Sequence, residues 1–221
     1  MGIICFVVNV RPDALFASKV LARYTNESRL TVYAWSEIRR LAAYLVSTRN
    51  LRLTLHRTCG TLVAFVDSSL ANADDSTSWG GFSLAFARGA DRSGSIIFSS
   101  STPNSVTEAT DVAELHQAVR VTKVVIGARI LLRELHMPPD APTTVFTDAR
   151  VLIDGTNCRK VTNASKWVST RFAMVRWAQQ SKAITLTKIA GALNPSDIYT
   201  KPLTGAAFVT PRCTELGLPC V

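Results

Sequence analysis

The order of strand-like and helix-like segments after residue 60 is the strongest constraint on the fold. Three short runs with strand patterns come in succession, and helices and strands alternate after them. We predict strands at 62–67, 79–86, 95–100, 143–147 and 183–189, and helices at 112–135, about 149–155, about 164–181 and from 195. This order predicts an α/β layer with an antiparallel hairpin portion and a parallel portion.

The first 58 residues follow a different hydrophobic pattern. Apolar side chains recur at helical spacing in 12–25 and in 31–46, and residues 51–56 alternate apolar and polar positions as an edge strand does. We therefore expect three parts: a helical segment, an α/β domain, and a tail for which the pattern predicts no element. Their expected bounds are 1–58, 59–205 and 206–221.

Composition and charge restrict the class of protein. Hydrophobic residues make up 47% of the 221 positions and charged residues 19%, which supplies a core and excludes intrinsic disorder. No uncharged apolar run approaches the roughly 18 residues of a membrane span, and no signal peptide is evident. We therefore expect an intracellular, soluble protein without a membrane partner. Five widely spaced Cys without a CxxC pair indicate neither a disulfide framework nor a zinc site.

The chain has a formal net charge of +9, which favours an anionic partner. Phosphate backbones are the commonest target of such a charge, and a solvated basic face is the alternative. Basic residues with interleaved aromatic rings cluster between the fourth and fifth predicted strands. As nucleic-acid contacts we single out Arg150, Arg159, Lys160, Lys166, Trp167 and Arg171, with Arg176 and Trp177 beyond them.

Four acidic residues lie where predicted strands end or predicted helices begin. They are Asp67, Glu114, Asp148 and Asp197. Each has an ordinary structural explanation, as a turn residue or as part of a helix cap. However, strand ends and helix starts converge on one edge of an α/β sheet, which is where such folds place their sites.

Glu114 carries the most information of the four. It lies four residues before Ala118 in the apolar stripe of its helix, so its carboxylate faces the sheet, where an unpaired charge is costly. Four converging carboxylates need a counter-ion, and hard divalent cations prefer oxygen ligands. Two such ions roughly 3.5 to 4 Å apart can promote phosphodiester cleavage. The residues predict a metal-dependent phosphodiester site with Mg²⁺ as cofactor.

Seven segments, in this order and spacing, resemble the ribonuclease H region of copia-type LTR retrotransposon polyproteins. They are FVDSSLANADDSTSWGGFSLAF, IIFSSSTPNSV, DVAELHQAV, ILLREL, PTTVFTDAR, KWVSTRF and NPSDIYTKPL. The likeness covers about residues 62–205. Upstream, VRPDALFASKVLARYTN, AAYLVST and LRLTL resemble the segment that connects the polymerase to that region in the same polyproteins. We therefore expect a fragment of a longer retroelement product.

The resemblance implies a ribonuclease H-like fold with a five-stranded mixed sheet and hydrolysis of the RNA strand in RNA/DNA hybrids. It assigns both catalysis and metal binding to Asp67, Glu114, Asp148 and Asp197, with two Mg²⁺ ions that Mn²⁺ can replace. The implied partners are the hybrid and the polymerase part of the parent polyprotein. The implied compartment is the cytoplasm, in a virus-like particle for an intact element, or the nucleus. Polymerisation is not expected, because the polymerase's own Asp pair is missing upstream.

The chain departs from the family pattern at four positions. Leu70 replaces an aromatic residue, Val112 an acidic one, Ala149 an Asn, and Trp167 a His. These departures leave a second hypothesis open, a catalytically impaired remnant that still binds nucleic acid, whereas the four retained carboxylates favour a ribonuclease H. A third hypothesis, an integrase-like strand transferase, is disfavoured because such enzymes generally use three acidic residues and a DNA-binding module that the sequence does not reveal.

Overall fold

The computed structural model describes residues 1–25, 30–56, 60–70, 78–89, 91–102, 110–157 and 166–219, with only the backbone at 166–168. The α-helices of this part are α1 (Gly2–Val7), α2 (Leu15–Ala22), α3 (Val32–Ser47), α4 (Thr110–Glu134), α5 (Arg150–Asn157), α6 (Lys166–Gln180) and α7 (Gly205–Leu216). Short 3-10 helices span Pro12–Ala14, Gly191–Leu193 and Pro195–Tyr199. The strands are β1 (Thr61–Ser69), β2 (Trp79–Arg88), β3 (Asp91–Arg92), β4 (Ile97–Ser101), β5 (Thr143–Thr147) and β6 (Ile184–Lys188).

The strands form one mixed sheet in the order β3-β2-β1-β5-β6, with β4 also paired to β2. The β1–β2 and β2–β4 pairs are antiparallel, whereas β1–β5 and β5–β6 are parallel. The predicted α/β fold with a five-stranded mixed sheet flanked by helices is therefore confirmed. The two-residue strand β3 is an addition to it.

The central strand β1, which pairs with β2 and β5, is buried at every position after Thr61. Leu62, Ala64 and Val66 pack into the main core, to which α4 and α6 contribute Val121 and Val175. A smaller cluster on the alternate positions contains Val63, Phe65 and Ala85. A strand buried in this way has a fixed register, and its carboxyl end is held firmly at one edge of the sheet.

The N-terminal helices pack on the segment that follows the last strand. Val8, Leu15, Ile38 and Leu41 form one apolar cluster with Ile198 and Tyr199. The ring of Phe16 also meets that of Trp79 edge to face, with 5.2 Å between centroids. Residues 195–199 are therefore covered by the N-terminal helices. In the described part of the chain, no helix combines the length and apolar character that a bilayer span requires.

The prediction of an edge strand at 51–56 is wrong. This segment is extended without a ladder: the Thr54 N–H donates to the Leu216 carbonyl, and the Thr54 carbonyl accepts from the Gly94 N–H. The two bonds lead to different segments, so no neighbouring strand is formed. Residues 57–59, where we place the boundary between the helical segment and the α/β domain, lie outside the described residues.

The chain ends in a helix that the sequence pattern did not predict. Helix α7 is closed by Gly217, which has a φ of 67° in the left-handed region that glycine adopts readily. Glu215, near its end, is fully buried. The Glu215 carboxylate lies 3.0 Å from Arg92 Nη2 and accepts hydrogen bonds from Ser83 Oγ at 2.9 Å and Tyr199 Oη at 2.6 Å. This network ties the C-terminal helix to the sheet.

We expect Glu215→Gln to lower the free energy of unfolding by about 3 kcal/mol, because it leaves the Arg92 guanidinium without its buried counter-charge. Urea titration followed by circular dichroism measures the change. Glu37→Gln is the matched control, since the 3.8 Å pair of Glu37 with Arg40 lies at the surface, and it should change stability by less than about 0.5 kcal/mol. Equal effects of the two substitutions would contradict a structural role for the buried network.

Candidate metal centre

Three of the four predicted carboxylates meet at the edge of the sheet. Asp67 lies near the end of β1, Asp148 directly follows β5, and Glu114 lies in the first turns of α4. One oxygen from each carboxylate lies within 4.8 Å of those of the other two. The parallel β1–β5 pairing explains this, because Phe65 pairs with Phe146 and each aspartate comes two residues later.

Asp197 reaches the same edge on the turn Pro195–Tyr199. Asn194 caps this turn by accepting from the Ser196 N–H at 3.2 Å, and its amide donates to the Val66 carbonyl at 2.9 Å. The turn is therefore pinned to β1 one residue before Asp67. Asp197 is not part of the 4.8 Å cluster, and a lysine lies between it and Asp67.

That lysine, Lys201, was missed as a site residue by sequence reasoning. Its Nζ lies 2.9 Å from Asp197 Oδ1 and 3.5 Å from Asp67 Oδ2. The neighbouring Thr200 donates its hydroxyl to Asp67 Oδ2. Both residues stand in the segment NPSDIYTKPL, three and four positions after Asp197. That spacing was the available signal, because residues three and four apart in a tight turn share one side of it.

The site holds more negative charge than its surroundings favour. Burial raises the pKa of Asp67 to about 7, and the charges of Asp197 and Asp148 act in the same direction, against Lys201 and Thr200. Burial also raises the pKa of Glu114 to about 8, with the charge of Asp67 next in weight. Protonation avoids the cost of ionising these two side chains, and a nearby cation lowers that cost.

The donor set fits a hard divalent cation. All three clustered ligands are carboxylates, the ligand type that Mg²⁺ and Ca²⁺ prefer. Glu114 is only 7% exposed, and its Oε2 is buried with no hydrogen-bond partner among the residues that the structure describes. A buried acceptor of this kind is costly unless a ligand meets it. Asp67, Glu114 and Asp148 thus form a group that could hold a metal ion. The metal-binding and catalytic roles of the four carboxylates, Asp197 included, stay a prediction.

The structure describes the side chains of only some of the residues that we predict to contact nucleic acid. Arg150 is exposed at the start of α5 and pairs with Asp154 at 3.6 Å. Burial lowers the pKa of His116 in α4, and the charge of Arg171 acts in the same direction. Arg171 is therefore close enough to His116 for their charges to interact. Lys166 and Trp167 begin α6, their side chains are not described, and Arg159 and Lys160 lie outside the described residues.

The two further residues of that group differ from each other. Arg176 donates to the Thr156 carbonyl at 2.9 Å, which joins α6 to α5. Trp177 is 56% exposed, so its ring reaches solvent. Contact of any of these residues with nucleic acid stays a prediction.

Solved ribonuclease H structures are similar to this chain in fold. No family model matches the sequence. LC11-RNase H1, solved in complex with an RNA/DNA hybrid, has 12% identity and a TM-score of 0.46, covering 63% of this chain and 94% of that one. The N-terminal RNase H domain of rv2228c from Mycobacterium tuberculosis, solved as a fusion with maltose-binding protein, has 14% identity and a TM-score of 0.47, covering 64% and 91%.

Part of a viral protein is also similar to this chain in fold. The prototype foamy virus protease-reverse transcriptase has 12% identity and a TM-score of 0.39, and the match covers 73% of this chain and 20% of that protein. All three TM-scores lie below 0.5, so the fold assignment stands on the strand order described above.

We expect Glu114→Gln to stabilise the metal-free protein by about 2 kcal/mol at pH 8. The folded-state pKa of about 8 lies above the ordinary value of 4.5, so wild-type stability falls as pH rises through this interval. Glutamine removes the ionisation that causes the loss, so the difference should shrink at pH 5. Thermal unfolding in EDTA at both pH values measures it. A variant less stable than wild type at pH 8 would contradict the charge strain.

Proposed function

We propose that this chain is a divalent-metal-dependent ribonuclease H that hydrolyses the RNA strand of RNA/DNA hybrids. The convergence of Asp67, Glu114 and Asp148 within 4.8 Å is the observation that carries the proposal. A buried, water-poor group of carboxylates is suited to holding a divalent ion where a phosphodiester can approach. The hybrid substrate is supported by the family resemblance of the surrounding motifs.

The proposed roles follow from the position of each side chain. Asp67, Glu114 and Asp148 hold Mg²⁺, for which Mn²⁺ can substitute. When bound, such an ion lowers the pKa of a water and stabilises the leaving oxygen of the phosphodiester. Asp197 is joined to Asp67 through Lys201 and is proposed as the fourth acidic residue of the site. A second ion is part of the family pattern.

We further propose that the chain comes from a copia-type retrotransposon polyprotein. The ordered motifs from Phe65 to Leu203 support this origin. The helices within residues 1–58, which pack beside the Asp197 turn, suit a segment connecting a polymerase to this domain. In an intact element, the polymerase part of the polyprotein is the proposed partner.

The proposed substrate contacts are Arg150, Arg159, Lys160, Lys166, Trp167 and Arg171. Two of them are supported by their places in the sequence and the fold. Arg150 is exposed two residues after Asp148, and Arg171 lies near His116, two residues after Glu114. Basic side chains placed so can hold the phosphates of a duplex on either side of the reacting bond.

One observation favours a catalytically impaired remnant as the second candidate function. Ala149, directly after Asp148, replaces the Asn of the family pattern, and its side chain packs against the apolar core. No side-chain hydrogen bond to substrate is available from that position. A folded chain that binds the hybrid and does not cleave it would have this second function.

We expect Asp148→Asn to abolish cleavage of a labelled RNA/DNA hybrid in Mg²⁺ or Mn²⁺, with activity falling at least about a hundredfold, as for loss of one ligand of a catalytic metal. Asp154→Asn is the matched control, because Asp154 lies six residues later and its side chain is 67% exposed. This control should keep wild-type activity. Cleavage by Asp148→Asn at the wild-type rate would contradict the site assignment. Cleavage of duplex DNA in preference to the hybrid would favour the strand transferase.

We expect the double substitution Lys160→Ala and Lys166→Ala to weaken binding of the hybrid by about tenfold and to lower the salt dependence of binding, because two phosphate contacts are removed. Fluorescence anisotropy at several salt concentrations measures both quantities. Lys123→Ala with Lys182→Ala is the control, since both lysines are exposed in parts of the chain without a predicted substrate contact. Equal affinities of the two double variants would contradict the predicted surface.

A further inference from the structure

Lys201 holds a defined position between two of the acidic residues. The backbone N–H groups of Thr200 and Lys201 both donate to the Asp197 carbonyl at 3.1 Å, which closes a turn and brings the side chains of 197 and 201 to the same side. The Lys201 ammonium then lies 2.9 Å from Asp197 Oδ1 and 3.5 Å from Asp67 Oδ2. A single positive charge therefore bridges both carboxylates.

This bridge differs from an ordinary surface ion pair. The side chains of Asp67, Asp197 and Lys201 are 2%, 21% and 33% exposed. Those of Arg150 and Asp154, which are four residues apart in the sequence like Asp197 and Lys201, are 78% and 67% exposed. Water screens the exposed pair, so its contribution is small. The attraction between an ammonium and a buried carboxylate is screened much less. Lys201 is thus held at the site by charge.

The bridge divides the acidic residues into two groups that share Asp67. Asp67 meets Glu114 and Asp148 in the 4.8 Å cluster, and Lys201 joins it to Asp197. A divalent ion between Asp67 and Asp197 would need the place that the ammonium fills. The two cations would also repel each other if Lys201 stayed there.

We infer that Lys201 is a built-in cation on the Asp197 side of the site, so that the chain binds one divalent ion tightly and a second one only when Lys201 moves away. This inference rests on the proposed metal site and concerns its stoichiometry. The structure offers a place for the displaced side chain. Lys201 also lines the groove between the N-terminal helices and the sheet, together with Trp79, Ile198 and Leu203.

Lys201 acts in this scheme as a positioning residue. It keeps Asp197 directed toward Asp67 while no second ion is bound, and it raises the metal concentration at which that ion binds. A divalent ion can take the place of the ammonium between Asp67 and Asp197. The two carboxylates then have a cation between them both before and after the exchange. A purely structural ion pair would have no effect on the number of ions bound.

The test is a Mn²⁺ titration of the full chain at pH 8, with bound ions counted by electron paramagnetic resonance and affinities measured by calorimetry. We expect one tightly bound ion in the wild type and two in Lys201→Met, with the second site at least about tenfold tighter than in the wild type. Lys201→Arg keeps the charge and should bind one ion. Lys123→Met, at an exposed position of α4, should match the wild type.

The opposite outcomes are separable. Two tightly bound ions in the wild type, or unchanged affinities in Lys201→Met, would overturn the inference and leave the proposed metal site intact. A folded wild-type chain that binds no Mn²⁺ would overturn both. Circular dichroism establishes that each variant is folded, and Lys201→Gln replaces Lys201→Met if the methionine variant is not. The wild-type count decides the stoichiometry without any substitution.

Discussion

The parallel pairing of β1 with β5 is the constraint on which the rest of the structure depends. It puts the carboxyl ends of two neighbouring strands at the same edge, and Asp67 and Asp148 each come two residues after a paired phenylalanine. Helix α4 brings Glu114 to the same edge. Three carboxylates are thereby held close together by buried strands and a buried helix face, so they cannot separate to relieve their repulsion without disturbing the core.

The repulsion determines what this edge of the sheet can bind. Burial raises the pKa of both Asp67 and Glu114 above the ordinary range of carboxyl groups. The site then has three ways to lower its electrostatic cost: a proton, the ammonium of Lys201, or a divalent ion. The proton comes from solvent and the ammonium from the chain itself, whereas a divalent ion would supply the chemistry of the proposed phosphodiester hydrolysis. Competition among the three would make metal binding at this edge depend on pH.

The ends of the chain support this edge from the outside. The N-terminal helices cover Ile198 and Tyr199, the neighbours of Asp197. Tyr199 in turn donates its hydroxyl to Glu215 of the C-terminal helix, and Glu215 pairs with Arg92 next to the hairpin. The turn that carries Asp197 is thus held between both termini and the sheet. Residues far apart along the chain contribute to the placement of one carboxylate.

The sequence by itself determined the strands of the sheet, the long helices and the four acidic positions. Hydrophobic period and capping chemistry are local, so residues such as Val66 and Asn194 reveal their environment to a reader of the sequence. The alternating pattern at 51–56 led to the wrong prediction of an edge strand, because a period of two does not show whether a partner strand exists. In the sequence, Lys201 in a turn and Glu215 in a tail resemble charged residues that face solvent. Only the tertiary structure decided that each faces a buried counter-charge, because that depends on which distant segments fold against it.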